Sequence, residues 1–266
     1  MNYFTLPPSE CLSDFIRCFW VLESPHPYTH YSMPDVCPEW LFHYKGQFDE
    51  LLENGKSQKS FWSGIHAQTH QMRKFHSDEA FGIFGVYLYP HTIPLLLGIP
   101  AHELTNQMPA LSLLLKEEGL ELEEKIAAAT DHAQRIKIME EFVFKKLTIH
   151  YKGALPVFQA IQQMIINQRL IRVKKMASDY FLSERQFQRQ FQHYAGLSPK
   201  LFLRIIRFHS VMSQYGKKSE TLTEIALNSG YYDQSHFIHE FKEFSGIHPK
   251  QFFSGSSDAT KWRDQI

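Results

Sequence analysis

The sequence predicts an α+β protein of two unlike halves: a β-rich N-terminal domain and an all-α C-terminal domain built from a repeated helical unit. Three observations predict this. Over most of residues 1–110 helical periodicity is missing, and short apolar or aromatic runs (FIRCFWVL, EWLFHY, KSFWSG, FGIFGVYLY) are separated by turn residues, the pattern of short strands. The stretch SERQFQRQFQHYAGLSPK carries a Phe-x3-Phe-x4-Gly-x2-Pro frame that returns fifty residues later in SHFIHEFKEFSGIHPK. The neutral net charge is also unevenly spread: residues 1–154 hold 13 Lys+Arg against 19 Asp+Glu, and residues 155–255 hold 13 against 7.

At 266 residues the chain can bury two cores. Its 43% apolar and 21% charged residues are those of an ordinary soluble protein. It has no apolar run of the length a bilayer requires, and its start, MNYFTLPPSECLSDF, lacks the basic and long apolar regions of a secretory signal. A cytoplasmic protein without a membrane partner is expected. Cys11, Cys18 and Cys37 are odd in number and fit no common zinc spacing, so buried, reduced thiols are expected.

In the N-terminal half the strands reach to about residue 110, followed by LSLLLKEEG and two helices. The second of these, near Asp131 to Leu147, sets Ile136, Met139, Val143 and Leu147 on one stripe. The sequence therefore divides into a domain over 1–150, a linker from Lys152 to Pro156, a second domain over 155–255, and a tail over 256–266. Trp40, Phe42, Tyr44, Phe84, Tyr87 and Tyr89 are the candidates to line a small-molecule pocket, although alternate ones must fill the core. Ten of the 15 histidines precede residue 155. The His66-x3-His70 pair would hold a metal well only on a helix, and no Asp or Glu near it or His43 completes a ligand set. No metal and no cofactor are expected. Catalytic residues are not expected either, since there is no Gly-x-Ser-x-Gly, phosphate-binding loop or dinucleotide fingerprint.

The repeated frame reads as packing. In the second copy, Thr221-Leu-Thr-Glu224 is a capping-box pattern opening a short helix, Ser229-Gly230 ends it, and Asp233 caps the next. Phe237, Phe241 and Phe244 follow at helical spacing on one face. Two short helices with a Gly-containing turn make a helix-turn-helix. The first copy runs from Val173 to Ala177, then from the Ser183 cap through Phe187 and Phe191 to Gly196. Ser198-Pro199 opens a connecting helix predicted to reach Tyr215 and end at Gly216, burying Phe202, Ile205, Ile206 and Met212. Two such units on one rigid connector suit two successive major-groove segments of double-stranded DNA.

With Phe187 and Phe191 inward, Arg185, Gln188, Arg189 and Gln192 point outward, a composition suited to reading guanine and adenine. The second unit presents Gln234, Ser235, Ile238, His239 and Lys242, with no arginine, and Ile238 either meets a thymine methyl or packs on a neighbour. Lys174, Lys175, Arg204, Arg207, Lys242 and Lys250 are the candidate phosphate contacts.

LSERQFQRQF, GLSPKLFLRIIR, LTEIALNSGYYDQSHFIHEFKEFSG and HPKQF resemble, in order, the DNA-binding domain of AraC/XylS-type transcriptional regulators. The resemblance implies a seven-helix, two-lobed domain with recognition helices near 183–194 and 233–244. It places base-reading positions on Arg185, Gln188 and Arg189, and on Gln234, Ser235, Ile238 and His239. Three departures stand out: Phe181 at a turn position usually held by Gly, Arg172 at a cap usually Ser or Thr, and Ile238 with His239 in place of Thr and Arg. In the N-terminal half, MPDVCPEWLFHY and YPHTIPLLLGIPAHELTN are similar to the cupin-like sensor domains of such regulators, with Val36 replacing a Gly. The resemblance implies a DNA-binding regulator controlled by a small-molecule effector, with RNA polymerase and a second copy of the chain as further partners. The rivals are a metal-dependent cupin-type enzyme fused to a DNA-binding tail, and a constitutive DNA-binding protein whose N-terminal half only dimerises.

Overall fold

The computed structural model describes residues 1–52, 54–151, 153–167, 172–214 and 221–255. The N-terminal domain has nine strands: β1 (Asn2–Leu6), β2 (Ile16–Ser24), β3 (Tyr28–Ser32), β4 (Glu39–Lys45), β5 (Asp49–Leu51), β6 (Ser57–Lys59), β7 (Ser63–His66), β8 (Arg73–Ser77) and β9 (Phe81–Leu88). They form a five-stranded sheet in the order β1-β2-β9-β4-β7 and a four-stranded sheet in the order β3-β8-β5-β6. Every recorded pairing is antiparallel.

Side-chain alternation gives the large sheet two different faces. In register across β2, β9 and β4, Phe19, Val21, Phe84, Val86, Trp40 and Phe42 share one face. That face meets the helices: Trp40 packs on Phe142 with the rings tilted and Tyr44 lies under the guanidinium of Arg135. The opposite face carries Trp20, Leu22, Leu41 and Ile83, which pack with Phe48, Phe75 and Phe81 toward the second sheet. Gly85 is required there, because a Cβ on it would sit 2.0 Å from the Trp20 ring.

Five helices follow: α1 (Thr92–Leu97), α2 (Ala101–Leu104), α3 (Leu111–Leu115), α4 (Glu117–Ala128) and α5 (His132–His150). Asp131 caps α5 by accepting from Gln134 N at 2.8 Å. Met139, Val143 and Leu147 are buried as their spacing predicts, but Arg135 rather than Ile136 extends the buried stripe. Its guanidinium donates to the carbonyls of Ile126 and Ala129 at the end of α4 while stacking on Tyr44. One side chain thus ties the helix pair to the sheet.

The described residues of the C-terminal domain form seven helices: α6 (Pro156–Asn167), α7 (Val173–Asp179), α8 (Glu184–Ala195), α9 (Pro199–Met212), α10 (Leu222–Asn228), α11 (Gln234–Ser245) and α12 (Pro249–Phe253). The connector α9 has 14 residues, about 21 Å of helix. Its predicted end at Tyr215 and Gly216, the linker's Lys152 and the tail over 256–266 lie outside the described residues.

The two domains share one continuous core. His91, buried at the start of α1, stacks on Phe158 of α6 with ring centroids 4.7 Å apart. Thr105 Oγ1 donates to Gly196 O at the end of α8, and Gln162 Nε2 donates to Asp14 O. The thiols depart from expectation: only Cys37 is buried, Cys18 is half-buried and Cys11 is exposed, although all three are free. Val36, in place of a Gly, needs no left-handed backbone and is buried.

Candidate nucleic-acid interface

The first unit pairs α7 with α8. Ser183 and Gln186 form a complete capping box at the start of α8, and Phe187 and Phe191 are fully buried. Arg185, Gln188, Arg189 and Gln192 are consequently on the exposed face. Gln188 Nε2 donates to Glu184 one turn back. Arg172 stands at the α7 cap and makes no side-chain capping bond. Phe181 adopts a left-handed φ of 56° at the turn, a conformation that disfavours a bulky residue.

The second unit pairs α10 with α11. Thr221 and Glu224 form the predicted capping box, and Asp233 accepts from His236 N at 2.7 Å. Phe237, Phe241 and Phe244 are buried. Ser235 and His239 are exposed, as are Lys242 and Lys250. Two candidate readers are compromised. Ile238 is half-buried and packs against the core, the outcome expected when an apolar side chain can reach a neighbouring apolar surface. Gln234, also half-buried, accepts from Thr223 Oγ1 at 3.1 Å.

Two phosphate candidates are engaged within the protein. Arg204 and Arg207, three residues apart on one face of α9, both turn to Glu240 of α11. Arg204 Nε is 2.7 Å and Arg207 Nη2 2.6 Å from its carboxylate, and Arg204 Nη2 also reaches Glu243 at 2.6 Å. Glu240 is only 2% exposed, so the pairing fixes α11 to α9 and occupies the guanidinium forks that phosphates would need. Arg207 lies in addition over the Tyr231 ring at 4.2 Å. Sequence reasoning missed Glu240, and its signal was an acidic residue inside a basic domain facing an Arg-x2-Arg pair. Of the remaining phosphate candidates, Lys175 pairs with Asp179 one turn on and Lys174 is exposed.

A groove of about 870 Å³ runs between the units, bordered by Gln188 and Lys200 on one side and His236 and His239 on the other, with Arg204 and Arg207 along it. Both recognition helices therefore flank one depression on one rod.

The six aromatic pocket candidates lie elsewhere than the cavity between the sheets. A cavity of about 190 Å³ lies between the two sheets, and none of the six lines it. Trp40, Phe42 and Phe84 are on the helix-facing side of the large sheet and fully buried. Tyr44 donates to Glu23 and supports Arg135. Tyr87 donates to Asp35, and Tyr89 stacks on His91 at the domain junction. The cavity is lined instead by Leu41 and Ile83, which alternate with Trp40, Phe42 and Phe84 on β4 and β9, and by Trp20 and Leu22 of β2. One step in strand parity moves a side chain from one face to the other. His30, His43 and His66 line it as well, while His70 bonds Asn106 in the loop beyond β7. Among the described residues no group of three or more His, Cys, Asp or Glu could hold a metal ion.

Fold and surface together define a class: a two-domain protein whose C-terminal half is a tandem helix-turn-helix module. Residues 176–255 match the family described as "Helix-turn-helix domain", and residues 4–109 match "Domain of unknown function (DUF6597)". An uncharacterized HTH-type transcriptional regulator of Haemophilus influenzae is 30% identical over 80 residues, covering 30% of this chain and 27% of its own. The HTH-type transcriptional regulator MtrA of Neisseria gonorrhoeae is 22% identical over 180 residues, covering 62% and 60%. The chain thus spans less than two thirds of the length of either relative. ToxT of Vibrio cholerae aligns over 96% of this chain and 98% of its own, at 11% identity and a TM-score of 0.47. The chain thus joins a β-rich N-terminal domain to a C-terminal region that matches a helix-turn-helix family. Among the described residues no helix is long and apolar enough to cross a membrane.

Proposed function

We propose that the protein is a transcription regulator that binds double-stranded DNA by sequence, under the control of a small molecule held by its N-terminal domain. One observation carries the DNA reading: two capped helices, α8 and α11, flank a single groove on a common rod, and α8 leaves Arg185 and Arg189 exposed. The matched helix-turn-helix family supports it. Control by the N-terminal domain is supported by the shared core, which sets α8 and α9 directly against β-domain loops.

The test is footprinting and competition binding with the full chain. If about six phosphates are neutralised, log K falls against log salt with a slope of roughly −5. A protein without sequence preference, or with salt-independent affinity, would end this reading. Stoichiometric iron, zinc or manganese in purified protein would instead favour an enzyme with a DNA-binding tail.

A further inference from the structure

We propose that the cavity between the two sheets binds an uncharged, largely apolar molecule the size of a substituted aromatic ring, through one polar group held by His30 and His66. The proposal rests on the effector-controlled reading above and supplies the chemical class of the effector.

Size and lining come first. The cavity measures about 190 Å³, and an engineered cavity of about 150 Å³ takes up benzene. Most of its wall is apolar: Leu22, Leu41, Phe48, Phe75, Ile83 and Met108. Such a surface retains a ring by burial alone.

The second feature is polar: His30, Ser32, Glu39 and His66 line the cavity where it adjoins a neighbouring one, and His43 and Ser60 line it as well. His30 Nδ1 and His66 Nε2 are buried there with no hydrogen-bond partner. Buried polar atoms are nearly always paired, and two such atoms on one cavity wall are suited to a ligand's hydroxyl, amide or ring N–H. The other nitrogen of His66 lies 3.4 Å from Ser32 Oγ, which leaves Nε2 for the ligand.

The wall also selects against charge. Burial pulls His30 down to about 4 and His66 to about 3, the latter helped by Arg73. Burial and the nearby Asp35 push Glu39 up to about 8, against the opposing effects of Trp20 and Arg17. Burial thus favours the neutral forms of His30, His66 and Glu39. Arg73 is engaged by Glu50 at 3.5 Å and by the Asn106 carbonyl. A carboxylate would shed its hydration with no free cation to meet it, and an ammonium would meet only Glu39, whose neutral form burial favours.

The same four residues border a second cavity of about 270 Å³, closed by Asp35 and by His209 and Met212 of α9. His209 Nε2 is 2.6 Å from Pro34 O and 3.5 Å from Asp35 Oδ2. A ligand's polar group and the connector between the two recognition units thus touch opposite sides of one thin wall. A ligand preferring one arrangement of that wall shifts the connector accordingly.

The test uses the full chain with four probes: phenol and indole as neutral rings, benzoate and benzylammonium as charged ones. Calorimetry and thermal shift should show saturable binding of a neutral ring, at least tenfold tighter than either charged probe. Leu41→Trp, which fills the cavity, should abolish it. Because that variant can misfold, His66→Phe serves as the milder one and should weaken binding at least fivefold with the fold retained. Equal or tighter binding of a charged probe, no binding of either neutral ring, or undiminished phenol and indole binding by folded His66→Phe would overturn the proposal. His209→Ala should keep ring binding while DNA affinity stops responding to it. Ring binding that never alters DNA affinity upholds the site and removes its control of DNA. Full chain that ignores DNA sequence removes the regulator reading and leaves the site standing.

Discussion

The two helix-turn-helix units share a frame but not a turn. In the first, Leu182 N donates to Ala177 O, and in the second Tyr231 N donates to Ala226 O. The left-handed residue just before each donor is Phe181, with φ 56°, or Gly230, with φ 77°. Leu182 is then followed directly by the Ser183 cap, whereas Tyr231 is followed by an additional residue, Tyr232, before the Asp233 cap. Buried Phe, left-handed Gly and N1 Pro recur because they set how each recognition helix seats on the core. The turn is solvent-exposed, with Phe181 97% and Tyr232 87% exposed, so its length can vary at little cost to packing.

The outward faces differ further. The first recognition helix offers two exposed arginines and seats on the core through the buried rings of Phe187 and Phe191. The second has lost Ile238 to packing and is tied to α9 through Glu240. This division suggests a reading unit and a positioning unit.

The largest effect is expected at that tie. Glu240→Ala leaves Arg204 and Arg207 facing each other without their shared carboxylate. Removing one partner of a buried pair costs about 3–5 kcal/mol, and partial exposure of the arginines lowers the expectation to about 2–4 kcal/mol. Chemical unfolding of the full chain measures it, and a loss below about 1 kcal/mol would show the two units to be equally free.

Next comes DNA. Arg189→Ala should weaken specific binding by about 1–3 kcal/mol and relax the requirement in its own half-site, and His239→Ala should cost less. Competition with each half-site scrambled in turn decides the point, and a more demanding second half-site would reverse the assignment of roles.

A smaller effect is expected at the turns. Left-handed backbone costs a non-Gly residue about 1–2 kcal/mol, part of which glycine returns as entropy of the unfolded chain. Phe181→Gly should stabilise the protein by about 0.5–1 kcal/mol, while Gly230→Ala should destabilise it by about 1 kcal/mol. Thermal unfolding that shows the same sign for both would break the correspondence of the two turns.

The smallest difference is between the caps. Hydrogen bonds from the Thr221 backbone and hydroxyl hold the Glu224 carboxyl below its ordinary range. A depressed carboxyl contributes stability that is present above its unfolded pKa and lost as pH falls through the folded value. The penalty of Thr221→Ala should therefore shrink from pH 7 to pH 3.5, whereas that of Ser183→Ala should not, because Gln186 does not titrate.

Much of this molecule is determined by local sequence. Caps at Ser183, Thr221, Asp131 and Asp233, left-handed glycines at 196 and 246, and phenylalanines at helical spacing each act within one or two turns of helix. Hence the two helices of each unit, the start of the connector, the inward rings and the exposed arginines were legible. What remained for the tertiary structure is what depends on a partner far along the chain. The sheet has aromatics on both faces, so nothing local says whether Trp40 or Leu41 looks into the cavity; only the packing of α5 on one side and the second sheet on the other decides it. An arginine on a helix looks the same whether it awaits a phosphate or a carboxylate, and Arg204 and Arg207 found theirs in Glu240, more than thirty residues away. Charge and polarity are properties of a residue, but what satisfies them is a property of the assembled fold.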